Sequence, residues 1–292
     1  MTYRTTWQAP EDVLRQAELV LTELIEPPVD AASLVRDDDA SAEPSDAPWL
    51  LHVYTDQPLT APIIEALPAD LGNAKVEELE DRDWVAHALE GLGVVKAGPF
   101  ILYGSHDADK IQPADGIPIQ IEANQAFGTG HHPTTGGCLE ALAKLESANP
   151  NKVLDIGTGS GILSFASRRL WPSARIIASD IDETSVAIAK ENGEINGIAD
   201  STWLTAPGTD HPTIKEAAPY DLVIANILAG PLVELASDIK DVLAPHGLII
   251  LAGLLDEQQE RVVHAYKALA LDLVEVGGTS RWPTLTLRAG AH

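Results

Sequence analysis

Three glycines at alternate positions follow an acidic residue near the middle of the chain, in the run Asp155-x-Gly157-x-Gly159-x-Gly161. Apolar residues precede this run from Val153, and a helical pattern follows it. The segment is therefore predicted to pass from a buried strand through a tight turn into a helix. Such a turn needs the conformations that glycine adopts at low cost. The unpaired N–H groups of the helix start face a ligand, which is typical of a nucleotide-like cofactor site.

The acidic residue before the glycines indicates which cofactor the turn would hold. Dinucleotide folds carry Gly-x-Gly-x-x-Gly and place a pyrophosphate against the helix N-terminus. Here the spacing differs, and a carboxylate at Asp155 would repel a phosphate and attract an ammonium group. S-adenosylmethionine carries an ammonium and a sulfonium but no phosphate, so we expect Asp155 to contribute to its binding. A nicotinamide-dependent oxidoreductase is the weaker alternative.

Two further polar residues stand at the ends of later predicted strands. Asp180 follows a strand at 175–179, where it would accept hydrogen bonds from both ribose hydroxyls. Asn226 follows a strand at 221–225, where its side-chain amide and nearby carbonyls would hold an amine and point its lone pair at a methyl group. Asn226 is therefore the candidate catalytic residue, and a turn-forming asparagine is the alternative. Asp182 is expected to cap the next helix.

A loop of small and polar residues at 124–135 leads into a helix predicted at about 135–146. Thr134 or Thr135 is a good N-cap for this helix. His131 and His132 are adjacent, which is poor spacing for metal ligands, and a role for His132 as general base is the weaker alternative. The single cysteine, Cys138, excludes a cysteine metal cluster, and no metal is expected.

From residue 151 onward, predicted strands and helices alternate. This alternation predicts a mostly parallel sheet covered by helices on both faces, with ligands bound beyond the carboxyl ends of its strands. The first hundred residues instead predict a small α+β module, with helices at 11–26 and 60–67, strands at 49–54 and 75–80, and a surface loop at 36–48. We place the domains at 1–105 and 106–292.

The chain of 292 residues is strongly acidic, with a formal charge of −25. Residues 1–110 contain 22 acidic and 7 basic side chains, a net charge of −15, and residues 111–292 contain 22 and 12, a net charge of −10. This field disfavours direct binding of nucleic acid and would attract a basic partner, although solubility explains it equally well. No apolar run approaches the roughly 20 residues of a membrane span, and no signal-peptide core is seen, so a cytoplasmic location is expected.

Four segments together resemble the ribosomal protein L11 methyltransferase family, PrmA. They are residues 126–135, 155–161, 180–182 and 225–232. The glycine turn is common to most class I methyltransferases, whereas the first and last segments are much more specific. The chain departs from the family at His131, where threonine is more frequent, and at Thr158, where cysteine is common. The first hundred residues resemble the family only loosely.

The resemblance implies a class I methyltransferase fold, with a doubly wound, mostly parallel seven-stranded sheet and a smaller N-terminal α+β domain that recognises the substrate. It implies methyl transfer from S-adenosylmethionine to lysine ε-amines and the α-amine of ribosomal protein L11. We expect a monomer that binds neither nucleic acid nor a membrane. By matching motif positions, the cofactor contacts would be Thr135, Gly157, Asp180 and Asn226, with Phe127 and Gly159 nearby.

Two alternatives to this function stay open at the level of sequence. One is a class I methyltransferase that acts on another protein lysine or on a small amine. The other is a non-catalytic binding module that has kept the cofactor fold.

Overall fold

The computed structural model describes residues 2–24, 29, 31–36, 49–55, 57–79, 94–122, 133–198 and 200–290. The predicted surface loop beyond Arg36 lies outside these residues, and so does the predicted loop at 124–135 up to residue 132. The last three residues of that predicted loop are helical instead. The chain forms two compact units, Met1–Val85 and Ala86–His292.

The first unit contains an antiparallel four-stranded sheet with a helix packed on one face. Its strand order is β2-β3-β1-β4. In chain order its elements are β1 (Thr2–Gln8), α1 (Glu11–Leu19), a π-helical turn (Val20–Leu24), β2 (Ala31–Arg36), β3 (Trp49–Thr55), α2 (Ala61–Glu65), a 3-10 turn (Ala69–Leu71) and β4 (Lys75–Leu79). Trp7, Leu51 and Val53 of the sheet pack against Leu14 and Ala17 of α1 and form the core.

The predicted elements of this unit are confirmed with small changes at their ends. The helices at 11–26 and 60–67 and the strands at 49–54 and 75–80 correspond to α1, α2, β3 and β4. Strands β1 and β2 have no predicted counterpart. β1 contains three threonines and two aromatic residues, Tyr3 and Trp7, which are types enriched in strands, but it has no apolar run.

The second unit begins with a three-stranded sheet of β5 (Val95–Ala97), β6 (Phe100–Tyr103) and β7 (Ile117–Gln120), with 3-10 turns at Ser105–Lys110 and Pro113–Asp115. Phe100 and Ile119 belong to the same apolar core as Leu139, in the helix that follows, and Val153, in the first strand of the large sheet described below. The division into compact units falls before this small sheet, after Val85. The domain boundary after residue 105 stays a prediction.

The rest of the second unit is a seven-stranded sheet with helices on both faces. Its strands are β8 (Lys152–Ile156), β9 (Arg175–Asp180), β10 (Thr202–Thr205), β11 (Tyr220–Asn226), β12 (Leu243–Ala252), β13 (Leu271–Gly278) and β14 (Pro283–Ala289). Its helices are α3 (Pro133–Lys144), α4 (Ile162–Leu170), α5 (Glu183–Ile195), α6 (Pro212–Ala217), α7 (Ala229–Glu234), α8 (Ala236–Val242) and α9 (Asp256–Lys267), with a 3-10 turn at Glu146–Ala148.

The strand order of this sheet is β10-β9-β8-β11-β12-β14-β13. The first five strands in that order are parallel, and β14 pairs antiparallel with both β12 and β13. The strand order reverses between β8 and β11, which is where ligands bind in open α/β sheets. The predicted doubly wound, mostly parallel seven-stranded sheet is confirmed.

Two apolar cores cover the faces of the sheet, because side chains alternate along each strand. Leu154 of β8 faces the core that contains Tyr266 of α9. Val153 faces the opposite core, which contains Phe165 of α4. Both faces of the central strands are therefore buried, as the apolar runs in the sequence predict.

The helices differ from prediction in the last third of the chain. The single helix predicted at 232–243 is two helices, α7 and α8, that meet at Leu235. α7 begins three residues earlier than predicted because Pro231 lies in its first turn, where proline is tolerated. Within the described ranges, no helix is long and apolar enough to cross a membrane.

Candidate functional site

The central strands end in register at one edge of the sheet. The parallel pairing aligns Ile156 of β8 with Ser179 of β9 and Ala225 of β11. The residue that follows each of these in the chain is one that the sequence predicts to act, namely Gly157, Asp180 and Asn226. The strand register therefore brings together three predicted residues at the point where the strand order reverses.

The glycine turn is attached to the neighbouring strand by its backbone. The carbonyl of Ser179 accepts hydrogen bonds from the N–H of Gly157, at 2.8 Å, and of Thr158, at 3.0 Å. Gly157 has a φ of 69°, and a Cβ at this position would lie 2.2 Å from Cγ2 of Ile227. A side chain would therefore be strained by the backbone conformation and by its neighbour.

Asp180 lies beside this turn, partly exposed. Its Oδ2 accepts a hydrogen bond from the N–H of Gly159 at 2.9 Å, and its Oδ1 accepts one from the N–H of Asp182 at 3.1 Å. Asp182 in turn caps α5 by accepting hydrogen bonds from the N–H groups of Thr184 and Ser185, which confirms its predicted role. Two backbone bonds thus fix the Asp180 carboxylate at the rim of the turn.

Asn226 contacts Thr135, the first of the predicted cofactor residues. The Nδ2 of Asn226 donates to Oγ1 of Thr135 at 3.4 Å. The prediction that Thr134 or Thr135 caps the helix is wrong, because α3 begins at Pro133 and both threonines lie buried within its first turn. Proline suits the first position of a helix, where its missing N–H has no intrahelical partner.

Ile227 holds the strand end that carries Asn226. Its side chain lies over Gly157, and its backbone passes against Gly253. Gly253 has a φ of 86°, and a Cβ there would lie 2.3 Å from the carbonyl oxygen of Ile227. Two glycines, which follow the strands on either side of β11, therefore allow this segment to lie close to the sheet edge.

Asp155 lies behind the turn and is fully buried. Its Oδ2 accepts hydrogen bonds from Oγ1 of Thr158 and Oγ of Ser164, both at 2.7 Å, whereas Oδ1 has no partner among the residues that the structure describes. Burial raises the pKa of this carboxyl to about 6, and the two hydroxyl donors oppose the shift. A direct contact between Asp155 and a cofactor ammonium group stays a prediction, since protein atoms enclose the carboxylate.

The groups at this edge fit S-adenosylmethionine. The segments 155–161, 180–182 and 226–230 contain no lysine or arginine, so nothing in them favours a phosphate. Asp180 presents a carboxylate of the kind that binds ribose hydroxyls, and the turn has no Cβ at Gly157 or Gly159 to obstruct a ligand. Within the described part of the chain, no group of histidine, cysteine or acidic residues could hold a metal ion.

Some of the predicted residues cannot be placed. Phe127, His131 and His132 lie outside the described residues. Cys138 is buried in α3, and burial raises the pKa of its thiol far above the ordinary value.

Several residues that shape the site are not predicted from the sequence. Thr158 and Ser164 solvate Asp155, and Ile227 and Gly253 position Asn226. A serine or threonine three residues after a buried acid is a signal that sequence reasoning can use, because its hydroxyl can reach back to the carboxylate. The contact of Ile227 with Gly253 has no comparable signal, since it depends on the pairing of β11 with β12.

A cleft of about 430 Å³ opens at the other end of the strands, where Asn149, Asp221, His246 and Arg288 line it. None of the predicted site residues lies in this cleft. Its place at the amino ends of β8 and β11 also differs from the ligand position expected for a parallel sheet.

The buried acid makes stability depend on pH. Because the folded-state pKa of Asp155 is raised to about 6, the folded chain keeps a proton between about pH 4 and pH 6 that the unfolded chain has released. The stability due to this proton is present below about pH 4 and is lost as the pH rises through about 6. An asparagine at position 155 has no such proton to lose. We therefore expect the unfolding free energy of Asp155→Asn, relative to that of the native chain, to be higher at pH 7.5 than at pH 5 by on the order of 1 kcal/mol. Urea unfolding at both pH values measures the difference.

The matched control is Asp182→Asn, because hydrogen bonds from Ser185 and Thr184 lower the pKa of the Asp182 carboxyl. Its effect on unfolding free energy should be the same at pH 5 and pH 7.5. An equally constant effect for Asp155→Asn would contradict the titration of Asp155 in this range.

Comparison with known proteins identifies the family. The model of the family "Ribosomal protein L11 methyltransferase (PrmA)" matches residues 50–290. Ribosomal protein L11 methyltransferase of Brucella melitensis biotype 2 is 46% identical over 240 residues, which are 82% of this chain and 83% of that protein. The corresponding protein of Agrobacterium fabrum is 46% identical over 214 residues, 73% of each chain.

A solved structure agrees with these relatives. The crystal structure of ribosomal protein L11 methylase from Lactobacillus delbrueckii subsp. bulgaricus matches with a TM-score of 0.60 and 26% identity, over 68% of this chain and 99% of that one. Three findings point to the same family: the resemblance in the motifs, the match of the family model and the identity to these relatives. The chain therefore belongs to the ribosomal protein L11 methyltransferase family, PrmA, whose members are class I methyltransferases that use S-adenosylmethionine.

Proposed function

We propose that this chain transfers methyl groups from S-adenosylmethionine to lysine ε-amines and the α-amine of ribosomal protein L11. Membership of the family supports the substrate and the cofactor. The observation that carries the proposal is the position of Asn226 at the switch point, bonded to Thr135 and one strand away from the glycine turn. We propose further that the chain acts as a monomer in the cytoplasm, without binding nucleic acid directly.

Asn226 is the residue that we propose orients the amine. Its Nδ2 is directed to Thr135, whereas its Oδ1 has no partner among the described residues. Oδ1 would accept a hydrogen bond from an N–H of the substrate amine and so fix the direction of the nitrogen lone pair. When bound, S-adenosylmethionine supplies an electrophilic methyl group on its sulfonium. Holding the amine about 3 Å from that methyl carbon, in line with the sulfur, would provide most of the acceleration.

The site must also favour the neutral amine. A free lysine has a pKa of about 10.4, so roughly one molecule in a few thousand is neutral at pH 7. Acceptors such as Oδ1 of Asn226 and partial burial of the amine would hold the neutral form in place. Among the described residues, the hydrogen bond of the Asn226 amide is to Thr135, which is not a general base, and we propose that water removes the proton.

The first unit is the part that we propose recognises the substrate. Met1–Val85 contains 19 acidic and 5 basic side chains, a net charge of −14. A field of this sign attracts a basic, lysine-bearing protein and repels nucleic acid phosphates. The predicted recognition domain at 1–105 includes this unit.

The proposal is tested by mass spectrometry of purified ribosomal protein L11 after incubation with the enzyme and S-adenosylmethionine. Stepwise addition of methyl groups at lysines and at the N-terminus is expected. Other purified ribosomal proteins and small amines serve as competing substrates in the same assay. Methylation of one of these with none on L11 would support the alternative class I methyltransferase.

Asn226→Ala should lower the rate of methyl transfer at saturating substrates by at least about 100-fold, or about 2.7 kcal/mol of transition-state free energy. The variant loses the acceptor that orients the amine but keeps the glycine turn and Asp180, so the affinity for S-adenosylmethionine should change much less. Single-turnover kinetics and calorimetry measure the two effects. Asn151→Ala, at an exposed asparagine before β8, is the control, and an equal rate in both variants would remove Asn226 from the mechanism.

Gly253→Ala should lower the methyl transfer rate by about tenfold or more, equivalent to at least about 1.4 kcal/mol. Its new Cβ would meet the backbone of Ile227, which must move and take Asn226 with it. The matched control is Gly197→Ala, because Gly197 has a similar φ of 70° but a Cβ added there would meet no atom within 4 Å. Equal activity of the two variants, measured at equal folded fraction, would contradict a role of the Gly253–Ile227 contact in positioning Asn226.

The charge of the first unit predicts a salt dependence. We expect the KM for ribosomal protein L11 to rise several-fold between about 50 and 300 mM NaCl, because added salt screens exposed charges beyond a Debye length. The KM for S-adenosylmethionine should change less. Steady-state assays at a series of salt concentrations measure both, and a KM for L11 that is indifferent to salt would contradict electrostatic recruitment.

A further inference from the structure

Two asparagines four residues apart pair with the outer edge of the small sheet. Asn192 lies in α5, and Asn196 caps its C-terminal end. Both side chains are buried, at 1% and 7% exposure. They face the segment Gln120–Glu122, which contains the end of β7, the last strand in the order β5-β6-β7.

Each asparagine side chain pairs with both backbone groups of one residue. The Oδ1 of Asn196 accepts from the N–H of Gln120 at 3.2 Å, and its Nδ2 donates to the carbonyl of Gln120 at 2.7 Å. The Oδ1 of Asn192 accepts from the N–H of Glu122 at 2.9 Å, and its Nδ2 donates to the carbonyl of Glu122 at 3.3 Å. The two side-chain amides thus occupy the place of a further strand.

The geometry of helix and strand permits this pairing. Residues four apart on a helix are separated by about 6.0 Å along its axis. Alternate residues of a strand, which point their backbone groups to the same side, are separated by about 6.6 Å. Because the two spacings are similar, Asn192 and Asn196 can reach Glu122 and Gln120 together.

The two asparagines differ in their third hydrogen bond. The second N–H of the Asn196 amide donates to the carbonyl of Asn192, within the helix, at 2.8 Å. The second N–H of the Asn192 amide donates to the carbonyl of Ser160, in the glycine turn, at 3.1 Å. Ser160 immediately precedes Gly161, the N-cap of α4. Of the two asparagines, only Asn192 therefore joins the turn to the small sheet.

Glu122 extends this connection. Its Oε1 accepts hydrogen bonds from the N–H of Ser105, at 2.8 Å, and from Nε2 of Gln120, at 2.9 Å. Its Oε2 accepts a hydrogen bond from Oγ of Ser105 at 3.1 Å. The backbone that Asn192 holds is thus fixed from both sides, and the Ser160 carbonyl is attached to a rigid segment.

We propose that Asn192 is a positioning residue for S-adenosylmethionine, acting through the carbonyl of Ser160 to hold the glycine turn in its binding conformation. The proposal rests on the proposed function, since it takes the turn as the cofactor site. Asn192 itself need not touch the cofactor. It would lower the free energy cost of ordering the turn, so its removal should weaken binding and leave the transfer step, which depends on Asn226, largely unchanged.

The test compares Asn192→Ala with Asn196→Ala. Each substitution removes one buried amide and the same number of hydrogen bonds, and each breaks one pair with the edge of β7, but only Asn192→Ala frees the turn. Calorimetry with S-adenosylmethionine and with S-adenosylhomocysteine measures binding by the full chain. We expect a rise in Kd of about tenfold for Asn192→Ala, equivalent to about 1.4 kcal/mol, and of less than about threefold for Asn196→Ala.

Thermal unfolding of both variants tests for a merely structural role. Similar losses of stability together with unequal losses of affinity support the proposal, and so does a raised KM for the cofactor with kcat nearly unchanged. If the alanine variants do not fold, Asn192→Ser and Asn196→Ser remove the same amide donors and keep a polar hydroxyl at each buried position, without adding a charge.

Equal changes in Kd for the two positions, or no change at either, would overturn the proposal while the unaltered chain still binds the cofactor. Failure of the unaltered chain to bind S-adenosylmethionine would instead overturn the proposed function, and with it this inference. The two failures are therefore distinguished in the same titration.

Discussion

The parallel register of β8, β9 and β11 is the constraint on which the site depends. It sets Ile156, Ser179 and Ala225 side by side, so that the next residue of each strand emerges at the same edge. Side chains alternate between the two faces, and a slip of one residue would exchange the buried faces of a whole strand. The two apolar cores oppose such a slip. The packing of the sheet interior therefore determines the positions of a glycine, a carboxylate and an amide that come from separate parts of the chain.

The same edge contains features that do not favour folding. Asp155 is a carboxyl in the interior of the protein, and the turn requires positive φ at three glycines. The hydroxyls of Thr158 and Ser164 offset part of the desolvation of Asp155. Because the turn is already formed, a ligand does not have to supply the free energy of ordering it. The affinity for the ligand is therefore higher, and this offsets the lower free energy of unfolding.

Much of this architecture is predictable because it depends on local patterns. The alternation after residue 151 predicts the large sheet, and the acid–glycine run, Asp180 and Asn226 are each recognisable from a strand end. Contacts between distant segments are not predictable in this way. Asn192 meets Glu122 across 70 positions of sequence, and Ile227 meets Gly253 through the pairing of two strands. The helix α3 begins at Pro133, before the predicted threonine caps, because both proline and threonine are compatible with the first turn of a helix and the sequence does not distinguish the two starts. The loop that carries Phe127 and His132 stays a prediction.

The asparagine pairing on β7 also has a geometric limit. The helix and strand spacings differ by about 0.6 Å for each pair, and each step of four residues turns a helical side chain about 40° around the axis. A third pair would fall out of alignment, and Ile188, four residues before Asn192, is a buried apolar residue instead. A helix can therefore cover only a short length of exposed strand in this manner. Where it does, the backbone groups of Gln120 and Glu122 are already occupied, so this edge cannot recruit a strand from another molecule and is protected from intermolecular sheet growth.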